Sequence, residues 1–202
     1  MHPNPIFRRV AETRAIEAAG ARGFGALVAN GEGVPHVAQV PFVIEDGAAE
    51  FHLLRSNPVA RAAPGRALLI VGGPDGYVSP DWYGLPDQVP TWNYVAVHLE
   101  GPLEILPPGL LRAHLDRLSE GFEGRLPKTP WRTGKMDPDA LSRMMRSIVP
   151  ARLRIEAVRS TFKLNQNKPE AARLSAADAV EGSVGADLAA LAALMRDPFA
   201  HG

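Results

Sequence analysis

The feature that most constrains the fold of this chain is a succession of strand-like segments joined by short turns. Roughly six such segments can be read from the sequence, at residues 24–30, 34–45, 48–54, 66–73, 94–106 and 151–164. Asp46-Gly47, between the second and third segments, is a strong hairpin signal. Helical segments interrupt the series without alternating regularly with the strands, which argues against a doubly wound fold. The pattern therefore predicts a small antiparallel β-barrel decorated with helices.

Helices are expected at 6–19, 107–123 and 137–148, and near the C-terminus at about 185–197. Gly20 is expected to end the first of them, and Asn57 with Pro58 to cap and begin a short helix. The segment GGPDG (72–76) is interpreted as a connection from a strand to a turn. Because it does not open a helix, it is not a phosphate-binding glycine motif.

Composition excludes several classes of protein. The 22 basic and 22 acidic residues give a formal net charge of zero, which counts against a dedicated nucleic-acid binder. The chain contains no cysteine, so a disulfide scaffold, a thiolate zinc site and a cysteine nucleophile are excluded, and a cytoplasmic location is expected. No stretch approaches the ~20 apolar residues of a membrane span, so no membrane association is expected.

Large aromatic residues are concentrated in one segment, YVSPDWYGLPDQVPTWNY (77–94). It holds all 3 tyrosines and two of the 3 tryptophans of a chain that is only 6% aromatic. Flat apolar rings, stiff prolines and short polar groups are typical of a pocket for a planar, hydrogen-bonding ligand. A structural aromatic cluster that closes one end of a barrel is an equally good interpretation. From composition alone the two remain open.

Two polar segments are candidates for ligand contacts. In HLLRSNPVAR (52–61), Arg55 and Arg61 flank Ser56 and Asn57 at a predicted helix start, an arrangement that suits a phosphate. A capped surface helix with solvated arginines is the alternative. In FKLNQNKPEA (162–171), two lysines bracket three consecutive amide side chains directly after a strand.

Metal binding and nucleophilic catalysis have little support. His36, His52 and His98 lie on predicted strands, but no metal-ligand spacing accompanies them, and we predict no metal site. Ser79 has no evident base beside it, so no catalytic residue is assigned.

Taken together, several motifs closely resemble those of the PaiB family, described as FMN-binding negative transcriptional regulators. They are HLLRSNP (52–58), YVSPDWYG (77–84), VPTWNYVAVH (89–98), PWR (130–132) and FKLNQNKP (162–169). They occur in the right order and span most of the chain. The chain departs from the usual pattern in carrying HLLRSN where members commonly have HLARAN, and KLNQN where they favour KLSQN.

The resemblance implies a mainly β fold with flanking helices, the six-stranded antiparallel Greek-key split β-barrel shared with pyridoxamine-phosphate oxidases. It also implies one domain over residues 1–202, with a helical insert at about 107–149, working as a homodimer with FMN at the subunit interface. The residues that match the family motifs, and are expected to bind the cofactor, are Arg55, Ser56, Asn57, Ser79, Trp82, Tyr83, Thr91, Trp92, Asn93, Lys163 and Gln166. Trp82 and Tyr83 have a second interpretation, burial against the other subunit.

The family implies a negative transcriptional regulator. The sequence shows no helix-turn-helix, and the basic loop around Arg125, Lys128, Arg132 and Lys135 is the best candidate for DNA contact. The alternative function is an FMN-dependent oxidoreductase acting on a small substrate, in which the flavin carries the chemistry.

Overall fold

The computed structural model describes residues 1–199, and by internal contacts the chain divides into two compact units. One unit comprises residues 1–19, 71–98 and 158 onward, and the other comprises 20–70 and 99–157. Two long strands contribute residues to both units. The single domain expected over residues 1–202 stays a prediction.

The strands are β1 (Phe24–Ala29), β2 (His36–Pro41), β3 (Val43–Glu45), β4 (Ala48–Leu54), β5 (Gly65–Val78), β6 (Thr91–Ile105), β7 (Ile148–Arg154), β8 (Ala157–Lys163) and β9 (Gly185–Ala186). The α-helices are α1 (Glu12–Arg22), α2 (Pro58–Arg61), α3 (Leu111–Glu123), α4 (Pro138–Met145), α5 (Glu170–Val180) and α6 (Leu188–Arg196). Short 3₁₀ helices cover Pro5–Arg8, Pro80–Tyr83, Pro108–Leu110 and Thr133–Lys135.

The strands form one sheet in the order β2-β1-β5-β6-β7-β4-β3, with β8 paired to β6 and β9 to β5. Neighbours whose register is defined, such as β1 with β2 and β4 with β7, run antiparallel. Over the described residues the sheet has nine strands. The number exceeds the predicted six because segments 34–45 and 151–164 each divide in two and β9 is additional.

The predicted hairpin at Asp46-Gly47 is confirmed. Both residues have positive φ, 48° and 73°, as a tight turn of the favoured handedness requires. The turn places Ala48 opposite Glu45 and sets the register of β3 on β4. β4 then pairs along its whole length with β7, so this one turn organises much of its unit.

Several boundaries differ from the predictions. The helix expected at 6–19 divides into the 3₁₀ helix Pro5–Arg8 and α1, and the helix expected at 107–123 begins as the 3₁₀ helix Pro108–Leu110 before α3. Helix α1 continues through Gly20 to Arg22, and the left-handed Gly23 follows it. Helix α4 ends at Met145, and Ile148 already belongs to β7. The segment 72–76 lies within β5 and is not a turn, because its glycines allow close packing: a Cβ on Gly73 would lie 2.8 Å from Cβ of Val95.

Each unit has its own apolar interior. In the unit that contains β4 and β7, the fully buried side chains include Phe51, Leu99, Leu103 and Leu153. In the other unit, helices α5 and α6 pack on each other, and Phe162, Leu164, Leu191 and Met195 are buried. Helix α5 was not predicted, because its alanine-rich face gives little hydrophobic periodicity. Within residues 1–199 no helix is both long and apolar enough to cross a bilayer.

Candidate functional site

The aromatic segment is divided among three elements. Tyr77 lies at the end of β5, Trp82 and Tyr83 lie in the 3₁₀ helix Pro80–Tyr83, and Trp92 and Tyr94 lie at the start of β6. The Tyr77 and Trp92 rings meet edge to face, with centroids 6.5 Å apart. Trp92 remains 46% exposed, which is unusual for so large an apolar side chain. The indole of Trp92 is therefore available to a flat ligand.

Tyr83 has a different environment. Its side chain is only 3% exposed, and its hydroxyl donates a hydrogen bond of 3.2 Å to Oδ1 of Asn165. Burial raises the pKa of this phenol. Tyr83 thus belongs to the interior of its own chain, and it is not available for burial against a second subunit. Trp82 beside it is partly exposed.

Ser79 has a structural hydrogen bond. It precedes the 3₁₀ helix Pro80–Tyr83 as its N-cap, and its hydroxyl accepts from the backbone N–H of Asp81 at 3.4 Å. This capping bond is a sufficient structural reason for a serine at position 79, and no catalytic role is needed to explain it.

Lys163 joins β8 to the aromatic strand β6. Its Nζ donates to the Thr91 hydroxyl at 2.6 Å and to the backbone carbonyl of Trp92. Burial, with a smaller contribution from the neighbouring Lys168 ammonium, lowers the pKa of Lys163 to about 8. Part of the amine is therefore neutral near physiological pH. The Lys163 ammonium, the Thr91 hydroxyl and the exposed Trp92 indole therefore lie close to one another.

Gln166 and Asn165 shape the turn after Lys163. The Gln166 amide accepts from the backbone N–H of Leu164 at 2.7 Å and donates to the carbonyl of Phe162, so its hydrogen bonds hold its own loop. Asn165 has φ +65°, a left-handed conformation that asparagine tolerates better than most residues. The asparagine of KLNQN is thus suited to the backbone at this position.

Asn93 is completely buried. Its Nδ2 contacts Sδ of Met195 at 3.3 Å, and its Oδ1 has no hydrogen-bond partner among the described residues. Nδ2 of Asn165 is likewise unpartnered in that part of the chain. A buried amide atom without a hydrogen-bond partner is costly, so these two positions are less favourable for stability than apolar side chains would be.

The strand-end motif Arg55-Ser56-Asn57 belongs to the compact unit that contains residues 20–70. Asn57 caps α2 as predicted, since its Oδ1 accepts from the backbone N–H of Val59 at 2.9 Å. Arg61 donates to the Ser56 carbonyl at 2.7 Å, and Nε of Arg55 donates to the Arg146 carbonyl at 2.8 Å. Because α2 has only 4 residues, its dipole is short, and attraction for a phosphate must come mainly from the two guanidinium groups.

The structure reveals a histidine that the sequence analysis missed. His114 of α3 is 1% exposed, and its Nε2 lies 3.4 Å from Nδ1 of His52. Burial lowers the pKa of His114 to about 4, and the adjacent His52 adds to this effect. The signal was present, because His114 lies three residues after Leu111 and four before Leu118 on the buried stripe. No group of three metal-ligating side chains occurs within residues 1–199.

Comparison with known proteins identifies the family. Residues 1–157 match the family described as "Putative FMN-binding domain". The chain belongs to this family. It is also 27% identical over 180 residues, 86% of each chain, to the "Protease synthase and sporulation protein PAI 2" of Bacillus subtilis. The resemblance to the PaiB family and the predicted flavin cofactor are thereby confirmed.

Solved structures support the same fold. The FAD and heme binding protein of Mycobacterium smegmatis superimposes with a TM-score of 0.60 at 17% identity, covering 78% of this chain and 73% of that one. The flavocytochrome Anf3 of Azotobacter vinelandii gives 0.58 at 18% identity, covering 80% and 72%. These similarities confirm the predicted fold class, an antiparallel split barrel with flanking helices.

The residues present fit the family's cofactor. FMN combines a phosphate dianion with a flat ring system whose edge carries hydrogen-bond donors and acceptors. The exposed guanidinium groups of Arg55 and Arg61 suit the phosphate. Trp92, the Lys163 ammonium and the Thr91 hydroxyl suit the ring and its polar edge. The flavin contacts of the individual residues stay a prediction.

Proposed function

We propose that the protein is an FMN-dependent negative regulator of transcription that functions as a single domain and a cytoplasmic homodimer. The observation that carries the proposal is the convergence of Lys163, Thr91 and the exposed Trp92 in a chain of an FMN-binding family. The other motif residues named from the sequence, with Arg55, Ser56, Asn57 and Ser79 among them, are also expected to contact the flavin. The regulatory role is supported by the PaiB resemblance and by the relative whose name refers to protease synthesis and sporulation.

An exposed apolar segment is the proposed contact surface for a second copy of the chain. From the end of the 3₁₀ helix Pro80–Tyr83 to the start of β6, three large apolar side chains are exposed, Leu85 at 38%, Val89 at 72% and Trp92 at 46%. Grouped apolar side chains in one short segment are typical of a protein interface. This segment supports the homodimer, with the partner subunit packed against the same aromatic region that we assign to the flavin.

Flavin binding is tested by titrating the purified protein with FMN while following flavin fluorescence. Quenching that saturates at micromolar concentration or below is expected. A freshly purified protein without flavin absorption, and with no binding at tens of micromolar FMN, would refute the proposed cofactor role.

The regulatory role is proposed to be indirect, through flavin state or a protein partner. In the basic loop, the Lys128 ammonium pairs with Glu123, the Arg125 guanidinium donates to the Ala21 carbonyl, and Lys135 donates to the Pro130 carbonyl. The ion pair offsets the charge of Lys128, and the bonds to carbonyls occupy donors of Arg125 and Lys135, so the loop has fewer free cationic donors for phosphates. We therefore expect no shift of the protein's own promoter DNA at 50 mM salt. A specific shift would establish direct binding instead.

One observation favours an oxidoreductase as the second candidate. The amine of Lys163 has its pKa lowered to about 8, so Nζ can hold or release a proton near neutral pH beside the exposed Trp92. A bound flavin supplies electron transfer, and the chain supplies position and electrostatics. Anaerobic mixing of the flavin-loaded protein with NADH or NADPH discriminates the candidates. Bleaching of flavin absorbance within seconds supports the enzyme, and unchanged absorbance over an hour supports the regulator.

A further inference from the structure

Three arginines converge on a cavity outside the aromatic region. The cavity has a volume of about 340 Å³ and lies within the unit that holds the helical insert. Arg55 reaches it from the end of β4, Arg112 from α3 and Arg146 from the end of α4. Arg55 is a residue that the family motif assigns to the flavin phosphate, whereas Arg112 and Arg146 have no such assignment.

The positive charge of this cavity is only partly compensated. Arg112 pairs with Asp116 at 3.1 Å, but in the described part of the chain neither Arg55 nor Arg146 takes part in an ion pair. No carboxylate is among the residues that line the cavity. Like charges held together without counter-charges repel each other and attract an anion.

The arginines are also held in place while most of their N–H groups stay available. Nε of Arg55 donates to the Arg146 carbonyl at 2.8 Å, and Nη1 of Arg146 donates to the Ser142 hydroxyl at 3.2 Å. A guanidinium has five N–H donors in a planar fork, so each group keeps donors for a carboxylate or phosphate. The bonds to Ser142 and to the Arg146 carbonyl reduce the entropy that ordering these side chains would cost.

The remaining wall is apolar. Leu111 of α3 and Leu141 of α4 line the cavity and are buried, and Met145 beside them is partly exposed. Methionine is a flexible side chain that adapts to ligands of different shape. A free phosphate ion would leave this wall without a partner, whereas an anion with an apolar body would cover it.

We propose that the cavity lined by Arg55, Arg112 and Arg146 binds a small organic anion in addition to the flavin. The ligand is a carboxylate or a phosphate monoester attached to an apolar group. The charged end contacts the guanidinium groups, and the apolar group packs on Leu111, Leu141 and Met145. Arg55 is shared with the proposed flavin phosphate contact, so Arg112 and Arg146 are the arginines that belong to this site alone.

Calorimetric titration of the full chain tests the proposal, in the presence of saturating FMN and at 150 mM ionic strength. The probes are phenyl phosphate and benzoate, which distinguish the two headgroups, with benzyl alcohol as the neutral control. One anion is expected to bind saturably below about 1 mM, and benzyl alcohol is expected not to bind. No saturable binding of either anion would overturn the proposal.

Two variants on the same helix locate the site. Arg146→Gln should weaken binding of the preferred probe at least tenfold, and Arg146→Lys should restore part of it. Arg143→Gln is the matched control, because Arg143 is exposed on α4 and does not line the cavity, and it should change affinity less than twofold. Equal losses in both glutamine variants would show non-specific surface attraction.

A competition experiment separates this site from the proposed flavin site. The probe is titrated with and without FMN, and FMN is titrated separately into the Arg146→Gln variant. Saturable probe binding that persists with FMN present, and unchanged FMN affinity in the variant, support two sites. Competitive displacement of the probe by FMN would overturn the separate site while leaving the flavin proposal intact.

Discussion

At the scale of single residues, the chemistry of the aromatic region depends on Lys163. Its ammonium is held by the Thr91 hydroxyl and the Trp92 carbonyl. Replacing it with glutamine removes a cationic donor, and we expect the FMN dissociation constant to rise about tenfold, the usual value of one charge-assisted hydrogen bond. Fluorescence titration measures the change. Lys135→Gln, an exposed lysine elsewhere, is the control, and equal affinity in both variants would contradict a flavin contact by Lys163.

A second prediction at this scale concerns His114 and the pH dependence of the free energy of unfolding. Burial disfavours the charged ring and lowers its pKa from the ordinary value of 6.5 to about 4 in the folded chain. The unfolded chain therefore takes up a proton first as pH falls. The stability contribution is complete above pH 6.5 and is lost progressively toward pH 4, by up to about 3 kcal/mol.

Urea unfolding at pH 7.5 and pH 5 measures this loss. In His114→Leu, the part of the acid loss caused by this ring should disappear, so the difference in unfolding free energy between the two pH values should shrink by about 1–2 kcal/mol. His36→Gln, in strand β2 at the end of the sheet, is the control and should keep the full loss. An unchanged pH dependence in His114→Leu would show that another group is responsible.

At the scale of elements, the long strand β6 approaches the backbone of β7 so closely at Gly101 that a side chain has no room. A Cβ on Gly101 would lie 1.8 Å from the backbone oxygen of Arg154, whereas a Cβ on Gly72 of β5 would meet nothing within 4 Å. We expect Gly101→Ala to lower the free energy of unfolding by about 3 kcal/mol, because the β6 and β7 backbones must move apart. Gly72→Ala should change it by less than about 0.5 kcal/mol. Denaturant unfolding of both variants provides the comparison, and equal stabilities would exclude this steric cause.

The short helix α2 supplies another prediction at this scale. Asn57→Ala removes the cap on the backbone N–H of Val59 and should cost about 1 kcal/mol in unfolding free energy. Ser56→Ala, which leaves the cap in place, should be nearly neutral for stability. If Asn57 serves only as a cap, FMN affinity stays unchanged in Asn57→Ala, whereas a flavin contact weakens it.

At the scale of the whole molecule, the expected assembly is a dimer of 21.7 kDa chains. Val89→Glu places a charge in the exposed apolar segment and should raise the dimer dissociation constant at least tenfold, because a buried unpaired carboxylate is costly. Val34→Glu is a matched control, since Val34 is 70% exposed against 72% for Val89. Sedimentation equilibrium measures both. A monomeric wild-type protein, or equal effects of the two variants, would contradict this interface.

Local sequence determined where most strand segments lie, together with the Asp46-Gly47 hairpin and the Asn57 cap, because each depends on the backbone preferences of a few adjacent residues. The family motifs likewise identified the flavin cofactor. Boundaries such as the passage of α1 through Gly20 followed no local signal, since tertiary packing stabilises a helix beyond a weak glycine.

The tertiary structure alone decided which motif residues face outward. Tyr83 and Asn93 stand in the same aromatic segment as Trp92, yet the first two are buried and Trp92 is exposed. The bond from Lys163 to Thr91 joins residues 72 positions apart, and the arginine cavity joins β4, α3 and α4. Burial and contact depend on elements distant in sequence, so motif spacing determined that a flavin protein was present, and only packing decided which side chains are available to bind.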